Sequence, residues 1–334
     1  MGLVVAARGL GRDFRVRERG AGVLAGLFGR SGTTRTVTAV ESLDLDIHRG
    51  EFVGLIGPNG AGKTTTIKLI AGLLYPTRGS LRVLDQQPFE RRHHVLRRLA
   101  VIMGQHGQLW WELTAMDIFQ LNRVVYGIPP DLYRQRLAEL SDLLELGDLV
   151  GVPVRQLSLG QRARCELAAG LLHQPDLLLL DEPTLGLDVL AQDRVRSFLR
   201  AYHSSHGPAA ILTSHNMGDI ESLCTRLVVL HQGRVLYDGQ PDGLAAVQAG
   251  LVRIRVSPGN GDEERLTGAL VQLYPDVVWH KTAVGHIVAE ANDGREQALL
   301  VDLRQRFPQM EVHVERPELE DVVLHLFRNL ARHG

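Results

Sequence analysis

The sequence predicts an α/β protein built around a parallel sheet and followed by a smaller α+β domain. Three observations support this fold class. An apolar segment at residues 52–56 is followed by a glycine-rich turn and then by helical apolar spacing at residues 63–74. Residues 177–180 are all leucine, which is typical of a parallel strand buried on both faces. Beyond about residue 250, the patterns follow the order β, α, β, β, α, β of a ferredoxin-like unit.

The length and composition limit what the chain is built to do. Its 334 residues indicate about two domains at roughly 150 residues each. A change in the residue patterns near residue 250 predicts the domain bounds 1–245 and 250–334. The 37 basic and 38 acidic residues leave a formal net charge of -1, so no nucleic-acid partner is expected. Two cysteines, Cys165 and Cys224, are too few for a disulfide framework and indicate a reducing compartment.

No part of the sequence has the pattern of a membrane-crossing segment. The start lacks an apolar stretch long enough for a signal peptide, and no run of about 18 apolar residues occurs. We therefore expect a chain that neither spans a membrane nor is exported by the signal-peptide route. Any action at a membrane would then require a partner.

The elements of the first domain follow from local patterns. The predicted strands are 3–7, 36–47, 52–56, 177–180, 209–213, 226–230 and 235–237. The predicted helices are 63–74, 117–126, 131–146 and 161–172, which make residues 105–172 mostly helical. Residues 8–36 are rich in glycine and arginine and contain an apolar group at Val23, Leu24, Leu27 and Phe28. This segment is predicted either as a mobile arm with one weak helical turn or as an amphipathic element that touches a partner or lipid headgroups.

The second domain is predicted from the same kinds of pattern. Its predicted strands are 251–256, 277–280, 285–290 and 311–314. Its predicted helices are 263–273 and 295–307, with a closing helix at about 317–329.

The glycine-rich turn has the composition of a phosphate-binding loop. Residues 57–64 fit G-x-x-x-x-G-K-[ST] at every fixed position, after a strand and before a helix. The glycines let backbone N–H groups approach a β-phosphate, and the helix N-terminus adds its dipole. Lys63 would place a charge on the β- and γ-phosphates, and the Thr64 hydroxyl can ligate Mg²⁺. The predicted nucleotide-binding positions here are Gly57, Pro58, Asn59, Gly60, Ala61, Gly62, Lys63, Thr64 and Thr65.

Two carboxylates follow the leucine strand. Asp181 and Glu182 are thereby predicted at the carboxyl edge of a parallel sheet, where ligands of open α/β sheets bind. Asp181 would hold Mg²⁺, and Glu182 would accept a proton from the water that attacks a γ-phosphate.

A third motif identifies the family that the chain resembles. Residues 157–161 read Leu-Ser-Leu-Gly-Gln, residues 181–184 read Asp-Glu-Pro-Thr and residues 186–188 read Gly-Leu-Asp. With the phosphate loop, these motifs resemble the nucleotide-binding subunit of an ATP-binding cassette (ABC) transporter, over residues 3 to about 245. The resemblance implies a P-loop NTPase cassette with a RecA-like core, an antiparallel β subdomain and a helical subdomain at about 105–172, and it implies ATP and Mg²⁺ as ligands.

The resemblance also implies roles for single residues. Gln105 matches the glutamine that contacts Mg²⁺ and the γ-phosphate and reports them to the helical lobe. His215 matches the switch histidine that contacts the γ-phosphate, and Asp188 matches the acid at the contact between two cassettes. Phe14 is the candidate for the aromatic ring that stacks on adenine. The catalytic set is therefore Glu182, His215, Gln105 and Lys63, and the metal set is Thr64, Gln105 and Asp181.

The signature motif predicts that the cassette works in pairs. Ser158, Gly160 and Gln161 begin a helix whose N–H groups suit a phosphate, but the helical lobe of the family holds them away from Lys63 of the same chain. We therefore expect ATP between two subunits of a homodimer or heterodimer. The family usually has glycine where this chain has Leu159, which leaves the Ser158 hydroxyl and the Gly160 backbone available but adds a side chain near the facing nucleotide.

The resemblance also names a membrane partner. In the family, the segment after Gln105 receives the membrane-spanning subunit, and here it contains Gln108, Trp110 and Trp111. The alternative is that one tryptophan lies in the core and the other is partly exposed.

The chain is similar to the drug-resistance-type export ATPases, which implies a peripheral location at the cytoplasmic membrane face. An importer subunit, a soluble non-transport ABC ATPase and a P-loop kinase are the competing functions. The second domain would regulate, dimerise or brace the cassette.

Overall fold

A computed structural model describes residues 2–17, 34–104, 109–247, 252–257, 263–275, 277–281, 287–291, 296–308, 311–315 and 319–333. Its contacts divide the chain into two units, Met1–Gly239 and Gln240–Gly334. Within the described ranges, no helix is both long and apolar enough to cross a membrane.

The described part of the first unit contains nine strands and seven α-helices. The strands are β1 (Leu3–Arg17), β2 (Thr34–His48), β3 (Phe52–Ile56), β4 (Arg78–Val83), β5 (Leu99–Met103), β6 (Leu177–Asp181), β7 (Ala209–Thr213), β8 (Arg226–His231) and β9 (Arg234–Gly239). The helices are α1 (Lys63–Ile70), α2 (His93–Leu96), α3 (Ala115–Val125), α4 (Pro130–Leu143), α5 (Leu159–Leu171), α6 (Val189–His206) and α7 (Met217–Leu223). Short 3₁₀ turns lie at Pro88–Glu90, Gly147–Gly151 and Val154–Gln156.

The nine strands form one sheet in the order β4-β1-β2-β9-β8-β3-β7-β6-β5. Strands β8, β3, β7, β6 and β5 pair in parallel, whereas β1 pairs antiparallel with both β2 and β4. All five residues of β3 and of β7 are buried, as expected for central strands covered on both faces. The carboxyl ends of β3, β6 and β7 lie on neighbouring strands, so the segments that follow them meet at one edge of the sheet.

The structure extends or adds strands where the sequence pattern is weak. The predicted strand at 3–7 continues to Arg17, because residues 10–17 pair with β2 down to Thr34. The expectation of an arm at residues 8–17 is therefore wrong. The apolar group Val23, Leu24, Leu27 and Phe28 lies outside the described residues. Strands β4 and β5 had no predicted counterpart.

The second unit contains helix α8 (Pro241–Val247) and a four-stranded sheet. Its strands are β10 (Val252–Ser257), β11 (Val278–Lys281), β12 (Ile287–Ala291) and β13 (Glu311–Glu315), and its other helices are α9 (Glu263–Leu273), α10 (Glu296–Arg306) and α11 (Leu319–His333). The order β11-β12-β10-β13, antiparallel throughout, confirms the ferredoxin-like arrangement. Ile254, Val256, Leu270, Ile287 and Leu303 lie in its core. Helix α8 contacts α11, so the second unit includes residues 240–245, which the sequence prediction assigned to the first domain.

Candidate nucleotide-binding site

The loop between β3 and α1 requires glycine where it turns into the helix. Gly62, the residue before α1, has φ +106, and a Cβ there would lie 2.5 Å from the carbonyl oxygen of Ala39. Because of the positive φ and the close approach, any residue other than glycine at position 62 would be strained. The loop therefore presents its backbone and the first turn of α1 to an open cleft of about 460 Å³.

Most residues of the predicted phosphate-binding loop line this cleft. It is lined by Val37, Thr38, Ala39, Asn59, Gly60, Ala61, Gly62, Lys63, Thr64, Thr65, Lys68, Met103, Asp181, Glu182 and His215. The cleft thus brings the predicted loop residues 59–65 together with Asp181, Glu182 and His215. Gly57 and Pro58 do not line the cleft, but their carbonyl oxygens accept hydrogen bonds from the Lys63 ammonium. Thr38, Lys68 and Met103 are additional lining residues that carry no local motif.

Lys63 lies across the loop and is 8% exposed. Its Nζ donates hydrogen bonds to the carbonyl oxygens of Gly57 at 2.6 Å and Pro58 at 3.3 Å. Burial lowers the pKa of the Lys63 ammonium, and the carboxylates of Glu182 and Asp181 oppose this shift. A buried ammonium facing two carboxylates is suited to an anion that brings its own negative charge, such as a triphosphate.

Asp181 and Thr64 form an oxygen pair suited to a divalent cation. Thr64 Oγ1 lies 3.3 Å from Asp181 Oδ1, which also accepts a 2.6 Å hydrogen bond from Thr213 Oγ1. Among the described residues, no group of three or more His, Cys, Asp and Glu side chains is arranged so that it could hold a metal ion by itself. This donor set fits Mg²⁺, which binds through one or two protein oxygens while keeping waters and phosphate oxygens.

Glu182 is a buried carboxylate held by its neighbours. The backbone N–H of His215 donates to Glu182 Oε2 at 3.1 Å, and the His215 ring Nε2 lies 3.4 Å from Oε1. Burial raises the pKa of Glu182, while His215 and Lys63 lower it. The Glu182 backbone has φ +56, and its N–H donates to the carbonyl oxygen of Thr213 at 3.0 Å. The structure thus holds the Glu182 carboxylate in place beside the exposed imidazole of His215.

The signature segment does not line the cleft that contains Lys63. The Ser158 hydroxyl caps α5 by accepting from the Gln161 N–H at 3.2 Å, and Gln161 Oε1 accepts from the Ser158 N–H at 2.8 Å. Asp188 caps α6 by accepting from the Ala191 N–H at 2.8 Å. A Cβ on Gly160 would lie 3.1 Å from the Ala191 Cβ, so the two capped helix starts are adjacent.

Leu159 packs on its own chain. A Cβ built on Gly186, which has φ +75, would lie 3.2 Å from Leu159 Cδ2. Leu159 also borders a small cleft together with Pro183, Leu185 and Leu187. The side chain that replaces the usual glycine of the motif therefore contacts the segment between Glu182 and Asp188.

The remaining predicted positions are the proposed adenine-stacking ring and the segment that begins at Gln105. Phe14 pairs with Val37 across β1 and β2, and the guanidinium of Arg12 lies 4.7 Å from the Phe14 ring centroid. Phe14 itself does not line the cleft. Gln105 and Gln108 lie outside the described residues. Trp110 and Trp111 are 63% and 56% exposed, so the alternative that one of them lies in the core is wrong.

The fold and this site together define a P-loop ATPase with a strand-end carboxylate beside its phosphate loop. Residues 40–185 match a family model described as ABC transporter. The chain is 36% identical over 235 residues to the Nod factor export ATP-binding protein I of Cupriavidus pinatubonensis, covering 70% of this chain and 71% of the relative. It is 32% identical over 210 residues to the ABC transporter ATP-binding protein NatA of Bacillus subtilis, covering 63% and 85%.

Solved structures agree with these relatives. A structure described as the ATP binding subunit of an ABC transporter matches with a TM-score of 0.60 and 27% identity, over 73% of this chain and 92% of that one. The dimeric structure of an ATP-binding cassette in a post-hydrolysis state bound to ADP and Pi shares the fold, with a TM-score of 0.58 and 22% identity over 71% and 98%. The chain belongs to the ABC transporter family as an ATP-binding protein, and its activity is that of an ABC-type ATPase.

Proposed function

We propose that this chain hydrolyses MgATP between two cassettes and thereby drives separate membrane-spanning subunits of an exporter. The observation that carries the proposal is the separation of two phosphate-binding elements: Lys63 lines the cleft, whereas Ser158 does not. Because each element presents only part of what a triphosphate requires, a second subunit completes the site. The pair is a homodimer or a heterodimer, and ATP stabilises it until hydrolysis removes the bridging γ-phosphate.

The residues of the cleft divide the chemistry among them. Lys63 and the loop backbone bind the β- and γ-phosphates, while Thr64 and Asp181 hold Mg²⁺, which neutralises charge on the phosphates when bound. Glu182 accepts the proton of the attacking water, and the His215 ring contacts the γ-phosphate. Gln105 is assigned to the same nucleotide and metal by resemblance. Across the interface, Ser158, Gly160, Gln161 and Asp188 of one subunit approach the nucleotide of the other, and Phe14 stacks on adenine.

The partners follow from an exposed aromatic surface and from the relatives. Trp110 and Trp111 offer two large rings to solvent, and Arg162 of α5 lies 5.7 Å from the Trp111 ring. Such rings are favourable anchors for a protein partner, here the membrane-spanning subunits, with Gln108 in the same segment. Export is proposed because several relatives are Nod factor export ATP-binding proteins. The subunit would act peripherally at the cytoplasmic membrane face.

The proposal is tested with two site variants and one control. Glu182→Gln is expected to keep ATP bound and to trap an ATP-dependent dimer, measured by light scattering after size exclusion, while turnover falls at least about 100-fold. Lys63→Ala is expected to weaken nucleotide binding itself. Glu90→Gln changes an exposed carboxylate paired with Arg92 and is the control.

Two outcomes would contradict the proposal. Parental turnover in Glu182→Gln would remove Glu182 as the base. Full turnover by a chain that stays monomeric at saturating MgATP would remove the shared site.

A further inference from the structure

Asp219, in the first turn of α7, is a buried carboxylate that is 1% exposed. Its Oδ1 accepts a 2.6 Å hydrogen bond from Arg196 Nε. Its Oδ2 accepts hydrogen bonds from the Ser214 hydroxyl at 2.7 Å and the Thr184 hydroxyl at 2.5 Å. A charge this deeply buried is tolerated only when donors surround it, and here three donors do so.

The three donors come from three separate segments of the chain. Thr184 follows Glu182 by two positions, and Ser214 directly precedes His215. Arg196 lies on α6, the helix that Asp188 caps. The Asp219 carboxylate is therefore bonded to the segments that carry the proposed base, the proposed switch histidine and the proposed interface acid.

A second residue extends the network towards Asp188. Gln192 Oε1 accepts hydrogen bonds from Arg196 Nη2 at 3.2 Å and from Asn216 Nδ2 at 3.0 Å. Gln192 Nε2 donates to the carbonyl oxygen of Leu187 at 3.1 Å. Leu187 is the residue before Asp188, so the segment at the proposed dimer interface is tied to the residue that follows His215.

We propose that Asp219 is a positioning residue that holds the Glu182, His215 and Asp188 segments in one arrangement, so that the hydrolytic groups and the dimer interface change together. The inference rests on the proposed function. Because the Coulomb gain of a buried charged network is offset by its desolvation, we assign the Asp219 network to geometric definition rather than to net stability. Asp219 supplies that definition at the point where three chain segments converge.

The test is Asp219→Asn, which keeps the side-chain volume and removes the charge that faces Arg196. We expect kcat to fall at least about tenfold, while KM for ATP and the Kd for a fluorescent ATP analogue stay within about threefold. Asp238→Asn is the matched control, because Asp238 also accepts a 2.6 Å hydrogen bond from an arginine, Arg226, but does not contact these segments. Its kcat is expected to stay at the parental value.

Thr184→Val is a second, milder variant that keeps the inference testable if Asp219→Asn fails to fold. It removes one donor to Asp219 and leaves the Asp219–Arg196 pair in place. We expect Thr184→Val to lower kcat by about threefold to tenfold, while its melting temperature stays within about 3 °C of the parental value. A parental kcat in both Asp219→Asn and Thr184→Val would overturn the inference.

A second readout separates positioning from a general structural effect. If Asp219 acts through Glu182, Asp219→Asn should not lower the residual turnover of Glu182→Gln any further, and it should weaken the ATP-dependent dimer of that variant. An equal fold-loss of turnover in both backgrounds would overturn the inference. The result for Glu182→Gln alone keeps the two claims distinct, because parental turnover there contradicts the proposed function, whatever Asp219 does.

Discussion

The backbone of Gly104 lies directly against the carbonyl oxygen of Glu182. A Cβ built on Gly104 would lie 1.9 Å from that oxygen, and the Gly104 N–H donates to the carbonyl oxygen of Asp181 at 2.9 Å. The end of β5 thus supports the two carboxylates at the end of β6 through backbone contacts alone. The absence of a side chain at Gly104 is what permits this approach.

Gly104→Ala is accordingly expected to displace the Glu182 backbone. The clash involves backbone atoms that have no flexible end to move away, so we expect a loss of about 2–4 kcal/mol in the free energy of unfolding and a fall in kcat of at least about tenfold. Urea denaturation and steady-state ATPase assays measure the two effects. Gly151→Ala is the control, since nothing lies within 4 Å of its added Cβ. Parental stability and turnover in Gly104→Ala would show that the contact is dispensable.

Asp181→Asn tests the metal assignment. The amide keeps an oxygen that can accept from Thr213 but loses the charge that attracts a divalent cation. We expect the Mg²⁺ concentration for half-maximal ATPase activity to rise at least about tenfold. Titration of Mg²⁺ at fixed ATP measures it, with Asp238→Asn as the control. An unchanged Mg²⁺ requirement would argue against Asp181 as a ligand.

The contact between Leu159 and Gly186 should appear as an energetic coupling. Gly186→Ala places a side chain at φ +75 and 3.2 Å from Leu159 Cδ2, so we expect it to cost about 1–2 kcal/mol of stability. In a Leu159→Ala background, the same substitution should cost about 0.5–1 kcal/mol less, because the crowded contact is gone. Denaturant unfolding of the two single variants and the double variant measures the cycle. Strict additivity would mean that the two residues do not influence each other.

His173 predicts how stability depends on pH. The ring stacks on Tyr126 with centroids 3.9 Å apart, its Nε2 lies 3.2 Å from the carbonyl oxygen of Leu99, and burial lowers its pKa to about 4. In the unfolded chain, histidine titrates near pKa 6.5. The stability contributed by neutral His173 is therefore complete above about pH 6.5 and declines as the pH falls towards 4, since only the unfolded chain takes up the proton in that range.

His173→Phe should remove this dependence. We expect the fall in the free energy of unfolding between pH 7.5 and pH 5 to be about 2 kcal/mol smaller than in the parent. Guanidinium unfolding at the two pH values measures the difference, with His94→Phe at an exposed position as the control. An identical pH dependence of stability in His173→Phe and the parent would show that His173 does not cause it.

Local patterns were enough to predict much of the fold and most of the candidate site. The loop at residues 57–64, the leucine strand before Asp181 and the strand before His215 each carry a recognisable pattern in a few adjacent residues. Burial on both faces requires a continuous apolar run, and a phosphate loop requires its glycines in fixed spacing, so both are visible without knowing the neighbours. The fold class, the family and the ATPase activity inferred in this way are confirmed by the relatives and solved structures.

Other features depend on residues that are far apart in the chain. Residues 10–17 form a strand because β2 pairs with them, although glycine and arginine give no strand pattern there. Nothing near Leu159 indicates Gly186, and nothing near Asp219 indicates Thr184, which lies 35 positions earlier. The sequence by itself determined the candidate residues for phosphate, metal and proton chemistry, because those candidates stand in short motifs of neighbours along the backbone. Only the tertiary structure decided which segments are tied together around Glu182, because hydrogen bonds and packing between distant residues leave no periodic signal in the chain.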